Sequence, residues 1–109
     1  MLATTKSKSG FSNYGTTIDV MAPGSGIYSS VATSDNSYSV FSGTSMASPL
    51  AAGLCALMLS YNPTLHPDSV EACLEAGCDN IDSQNPFYIG QIGAGRINAL
   101  KSLTCLPAP

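Results

Sequence analysis

The sequence predicts an α/β chain in which β-prone segments fill the first 42 residues and helices follow from residue 45. Three observations carry this. Short runs rich in β-branched and aromatic residues, around 18–22, 27–31 and 38–42, are separated by Gly, Pro and Ser punctuation. From Asn36 to Pro67 no Asp, Glu, Lys or Arg occurs, and Ser45 to Ser60 within that stretch reads as one long apolar helix. Beyond it, Pro67 and Ile97 open two shorter helical patterns.

Each element has its own signals. Leu2 to Thr5 reads as a weak strand and Lys6 to Gly15 as a polar loop. Ile18-Asp19-Val20-Met21-Ala22 is a short strand stopped by Pro23-Gly24. Ile27 to Val31 and Tyr38 to Ser42, joined by polar residues 32–37, make a hairpin. The 45–60 helix carries apolar or small residues on every side, so burial all round is expected, which 109 residues can hardly provide. Pro49 removes an N–H and crowds the Ser45 carbonyl, so regular helix is not expected around Ser45. Asn62-Pro63 ends the helix. Pro67 suits the first position of the next one, with Asp68 favourable in its first turn. Val70, Cys73, Leu74 and Gly77 share a face, and Gly77 reads as the left-handed stop after that helix. Residues 79–95 are irregular, Ile97 to Leu103 forms a last helix, and residues 106–109 read as the start of a linker or tail after a segment spanning 1–105.

Composition narrows the function classes. The chain has 109 residues, enough for one small domain. Only 10% are charged, against about 25% ordinarily. The net charge is −3, and four Lys and Arg residues are scattered without a basic stripe, which argues against a nucleic-acid partner. The longest apolar run, Ala47 to Leu59, is interrupted by Ser48, Pro49 and Gly53 and falls short of the ~20 residues a bilayer crossing needs, so no membrane partner is expected. No charged, then apolar, leader pattern opens the chain. The four cysteines match no zinc spacing, and one histidine cannot complete a mixed site, so no metal or other cofactor is expected.

The segment Gly43-Thr44-Ser45-Met46-Ala47-Ser48-Pro49 carries the chemistry. It sets a serine hydroxyl at the N-terminus of an apolar helix, where free N–H groups and the helix dipole favour negative charge. An oxyanion formed during acyl transfer could be held there. A serine nucleophile also needs a base about 3 Å away and a group to orient that base. His66, the single histidine, follows the far end of a helix roughly 22 Å long and cannot reach Ser45 within one chain. It fits an N-cap or an exposed loop instead. Asp19 and Asp35 have no histidine to orient.

These residues resemble the subtilisin-like serine proteases, the subtilase family (peptidase S8). The likeness runs through 43–49 and Ala51-Ala52-Gly53, through Phe11-Ser12-Asn13-Tyr14-Gly15 and Asp19-Val20-Met21-Ala22-Pro23-Gly24 before them, and through Tyr61-Asn62-Pro63 and Gly93-Ala94-Gly95-Arg96-Ile97-Asn98-Ala99 after them. One departure is Leu50, where the family commonly has a histidine that is not the triad base. The resemblance implies the subtilisin-like α/β fold, a largely parallel sheet with helices on both faces. This chain would supply the C-terminal portion of that catalytic domain: the last strands, a β-hairpin, the buried nucleophile helix and the closing helices. It implies a serine endopeptidase working through an acyl-enzyme on Ser45, with Thr44 and Met46 supporting the oxyanion site and the nucleophile. Family order runs Asp, His, Ser, so the triad Asp and His and the oxyanion Asn would precede Met1. The chain alone is then expected to be inactive, its partners being a polypeptide substrate and the remainder of the domain, and the parent protein is expected to be secreted. The alternative is a non-catalytic structural or binding module that reuses the fold.

The cysteines leave two readings. With Gly77 as a left-handed stop, Cys73 and Cys78 take positions that approach each other in a Schellman ending, where a disulfide could clip the helix end. Equally, both could be buried thiols acting as small hydrophobes. Spacing fixes no connectivity.

Overall fold

The computed structural model describes residues 6–109, so the expected strand at Leu2 to Thr5 lies outside the described residues. The elements are β1 (Ile27–Ser30), β2 (Tyr38–Phe41), α1 (Thr44–Tyr61), α2 (Pro67–Ala76), a single 3-10 turn (Asp82–Gln84) and α3 (Ala99–Cys105).

The hairpin forms as its sequence asks. β1 and β2 pair antiparallel, Ile27 opposite Phe41 and Ser30 opposite Tyr38, and the Val31 N–H donates to the Ser37 carbonyl where the loop begins (3.0 Å). Tyr28 and Tyr38 stack at 5.5 Å on one face. Ile27, Ser29 and Phe41 occupy the other, which turns toward the start of α1.

The strand expected over 18–22 shortens to one rung. Met21 pairs in parallel with Arg96, and Arg96 pairs antiparallel with Asp79 on its other side. Four backbone bonds between 2.7 and 3.0 Å hold these three segments together. A strand needs neighbours along its whole length to complete its ladder, and among the described residues this rung and an Ala94 N–H bond to the Asp19 carbonyl (2.9 Å) are too few for that. Gly95 makes it possible: its φ is +122°, and a side chain there would run into the Asp79 carbonyl.

The core lies where α1, α2 and α3 meet. Leu54 and Met58 of α1 pack on Val70, Cys73 and Leu74 of α2, and Leu106 closes the cluster just after α3. Met21, Ile81 and Ile92 form a second cluster beneath the rung, and Ala22 meets Ala47 in a third. Leu106 and Pro107, in the segment read as a tail, make contacts: Leu106 is buried and the Pro107 carbonyl accepts from Asn62 Nδ2 (3.4 Å).

The structure corrects four expectations. The first concerns α1, which is not buried all round. Only Ala47, Leu54 and Met58 of its 18 residues are buried, and Leu57 and Tyr61 are nearly half exposed. The described chain has no elements to cover its remaining faces. Second, the helix is continuous from Thr44 through Pro49, since the missing Pro49 N–H costs one bond to the Ser45 carbonyl without turning the chain out of helix. Third, Gly77 ends α2 in the right-handed region (φ −81°), not the left-handed one. Its glycine identity answers to packing, because a Cβ there would lie 2.6 Å from the Ser102 nitrogen. Fourth, without a left-handed turn Cys78 does not swing back toward Cys73. Cys73 faces α3 and bonds Cys105, with Cα atoms 5.6 Å apart, while the Cys78 thiol donates to the Leu74 carbonyl (3.3 Å). Burial, with Asp79 and Glu75 nearby, pushes the Cys78 thiol up to about 11.

Candidate active site

Ser45 is the second residue of α1, exposed at the junction between helix and hairpin. Gly43 caps the helix with extended backbone and no side chain. Its carbonyl accepts from the Met46 N–H (3.0 Å) and, more weakly, from Ala47 (3.4 Å). The Thr44 and Ser45 N–H groups find no acceptor among the described residues and point out of the helix start. No acidic residue stands in the first turn to compete for them. An oxyanion beside Ser45 would therefore meet an unoccupied N–H and the positive end of an 18-residue helix.

Two bonds fix this junction to the chain before it. The Gly43 N–H donates to the Gly24 carbonyl (2.8 Å), and the Gly26 N–H donates to Ser42 Oγ (2.8 Å). Sequence reading gave no role at the nucleophile to Ser42, Gly24 or Gly26. The signal nearest to them was Pro23-Gly24, which reads as the stop of the 18–22 strand.

A cleft of about 260 Å³ adjoins Ser45 between hairpin and helix. It is walled by Ile27, Phe41, Met46, Pro49 and Leu50, with Ser29 and Ser30 on the hairpin side. None of these side chains is a base. Met46 is half-buried, its sulfur against Gly43, and Thr44 is exposed beside Ser45. The structure thus brings Thr44, Ser45 and Met46 together in one helical turn.

His66 stands elsewhere. It caps α2, its Nδ1 accepting from the Asp68 N–H (3.2 Å) with an Asp68 oxygen 3.5 Å away, well exposed to solvent. From Ser45 to Tyr61 the helix alone spans roughly 24 Å at about 1.5 Å per residue, and His66 lies beyond that. Asp35 sits in the exposed hairpin loop. Asp19 brings a carboxylate oxygen within 4.8 Å of oxygens of Glu71 and Glu75, at one side of a cleft between α1 and α2. Asp79, which sequence reading passed over, takes Lys101 Nζ at 2.7 Å and Asn98 Nδ2 at 3.2 Å, and these bonds hold its carboxyl below the usual range.

Residues 2–90 match the model of the subtilase family, peptidase S8. The chain belongs to the subtilase family. It is 40% identical to thermitase of Thermoactinomyces vulgaris over 96 residues, covering 88% of this chain and 32% of thermitase. It is 41% identical to an extracellular protease of Xanthomonas campestris over 103 residues, covering 89% of this chain and 17% of that protein. A solved protease from Pseudoalteromonas arctica superposes with a TM-score of 0.80 at 29% identity, over 91% of this chain and 32% of that one. The fold is therefore a portion of the subtilisin-like fold, and the chain spans about a third of the length of thermitase. α1 is the one helix among the described residues long and apolar enough for a bilayer crossing, by length and composition only, a test that a core helix passes equally.

Proposed function

We propose that this chain is the nucleophile-bearing part of a subtilisin-type serine endopeptidase and that Ser45 forms the acyl-enzyme. The observation that carries this is the placement of Ser45 at the second position of α1, exposed, with its own N–H and that of Thr44 unclaimed among the described residues, in a chain of the subtilase family. In the reaction, a base takes the Ser45 proton as Oγ attacks the scissile carbonyl. The carbonyl oxygen gains charge and is met by the Ser45 N–H at the helix start. Thr44 supports that site, and Met46 packs behind the nucleophile. The amine leaves with the proton returned by the base, and water then releases the acyl group from Ser45.

The base, its orienting carboxylate and a side-chain oxyanion donor come from the remainder of the catalytic domain. The short coverage of thermitase and the apolar, uncovered faces of α1 both support this. The 109-residue chain by itself is inactive on this reading. The name of the Xanthomonas relative supports a secreted parent protein acting on polypeptides.

The test uses the complete reading frame that contains this chain. Its product should react stoichiometrically with a fluorophosphonate at Ser45 and hydrolyse casein. The Ser45→Ala form should fold but do neither, and the isolated chain should not label. Near-normal turnover by the alanine form, or rapid labelling of the isolated chain, refutes the assignment.

A further inference from the structure

We infer that the hydroxyl pair Ser9–Ser25 is a positioning element for the nucleophile, acting through the turn that carries the cap of α1; the inference rests on the reading of Ser45 as nucleophile. The chain of contacts starts at the helix. Gly43, the cap, is tied to Gly24, and Ser42 is tied to Gly26, so the 24–26 turn and the first turn of α1 move as one. Gly24 and Gly26 have no side chains with which to anchor that turn. Among the described residues the one hydrogen bond made by a side chain of the turn itself is Ser25 Oγ with Ser9 Oγ, at 2.8 Å across 16 residues of sequence.

Ser9 is a rigid anchor. It is only 7% exposed. Its carbonyl accepts from Lys8 Nζ (2.9 Å) and from the Ser12 N–H (3.0 Å). The Lys8 ammonium also donates to the Ser12 carbonyl (3.1 Å) and lies 4.7 Å from the Tyr88 ring centre and 5.2 Å from that of Tyr14. Behind it, the Lys8 N–H donates to Asn85 Oδ1 (2.6 Å), and Asn85, buried, donates to the Lys6 and Ile81 carbonyls. This network orders the loop around Ser9. It ends on a hydroxyl aimed at the turn that holds the nucleophile's cap.

Loss of the pair frees that turn laterally, and with it the direction of the Ser45 N–H and Oγ. A displacement on the order of 1 Å at reacting atoms costs up to about 100-fold in rate. The two bonds that tie Gly43 and Ser42 to the turn remain, so a loss of about tenfold in kcat is expected, with KM changed less than twofold.

The experiment is done in the complete protease with Ser9→Ala, Ser25→Ala, the double variant and Ser25→Thr. Fluorophosphonate titration counts competent sites, so kcat is read per site and separates turnover from folding yield. Each alanine variant should lose about tenfold in kcat, the double variant no more than either alone, and Ser25→Thr should recover most of the loss. Should Ser9→Ala fail to fold, half-buried Ser25 provides the same readout alone. Unchanged kcat per site, losses that multiply in the double variant, or no recovery with threonine overturn the inference while leaving Ser45 as nucleophile. A wild-type protease that does not label at Ser45 overturns both.

Discussion

The Cys73–Cys105 disulfide should be the main covalent determinant of stability at the C-terminal end. The bridge spans a sequence separation of 32 and encloses the 3-10 turn, the Gly93–Gly95 segment and all of α3 up to its last residue. In the chain-entropy account, closing a loop of that size removes about 12 cal/mol/K from the unfolded ensemble, or about 3.7 kcal/mol at 25 °C. Cys105→Ser should therefore cost up to about 3.7 kcal/mol, and opening of α3 should become as much as ~500-fold more populated. Hydrogen exchange reads this directly. Amides of α3 and the C-terminal turn of α2 should exchange faster in Cys105→Ser, while β1 and β2 should exchange as in the wild type. Cys73→Ala/Cys105→Ala should match Cys105→Ser within about 1 kcal/mol, since one shared bond is lost in each. Non-reducing peptide mapping must also return a linked 73–105 peptide with Cys78 free. Unchanged α3 exchange in the variant, or a 73–78 linkage, refutes the reasoning.

Other outcomes follow from the same geometry. Gly77→Ala should destabilise by about 1–3 kcal/mol, although alanine is the better helix former, because its Cβ would meet the Ser102 nitrogen at 2.6 Å; a higher melting temperature contradicts this. The isolated chain should associate and bind ANS, since Leu57, Leu59 and Tyr61 of α1 are exposed together with Leu50; a monomer in light scattering with a cooperative melt and no dye binding contradicts it. Asp79 has its folded pKa below the unfolded value, so its contribution is complete above the unfolded pKa near 4 and is lost as pH falls through the lower folded pKa. Asp79→Asn should flatten that part of the acid unfolding curve, and an identical acid limb in the variant rules this out.

Much of the fold was legible because local chemistry decides it. α1 follows from a largely apolar stretch without a charged residue, and α2 from Pro67 and Asp68, both found in its first turn. The hairpin follows from β-prone runs on either side of a polar loop. What was not legible depends on partners distant in sequence. Among the described residues the segment 18–22 forms one rung, with Arg96, and periodicity says nothing about neighbours. Gly77 is a glycine for the sake of Ser102, 25 positions on, not for its own dihedral angles. Cys73 could not be assigned to Cys105 before α3 was known to lie across α2. At the candidate site, Thr44, Ser45 and Met46 are contiguous and were legible as a motif. The bonds from Gly24 and Gly26 to Gly43 and Ser42 were not, because backbone groups leave no trace in a residue pattern.

The Arg96 rung has a consequence for the order of events in synthesis. It joins positions 21, 79 and 96, so the residue leading into the Gly24 turn acquires its partner only once a further 75 residues (96 − 21) have been made. Closing such loops carries its entropic cost before any contact rewards it, which slows folding. Leu106 adds its share of the core later still. A ribosome releasing this segment in order therefore exposes the Ser45 turn to the cell before its supports exist. A product truncated before residue 96 would carry Ser45 but lack the residue that pairs with both Met21 and Asp79.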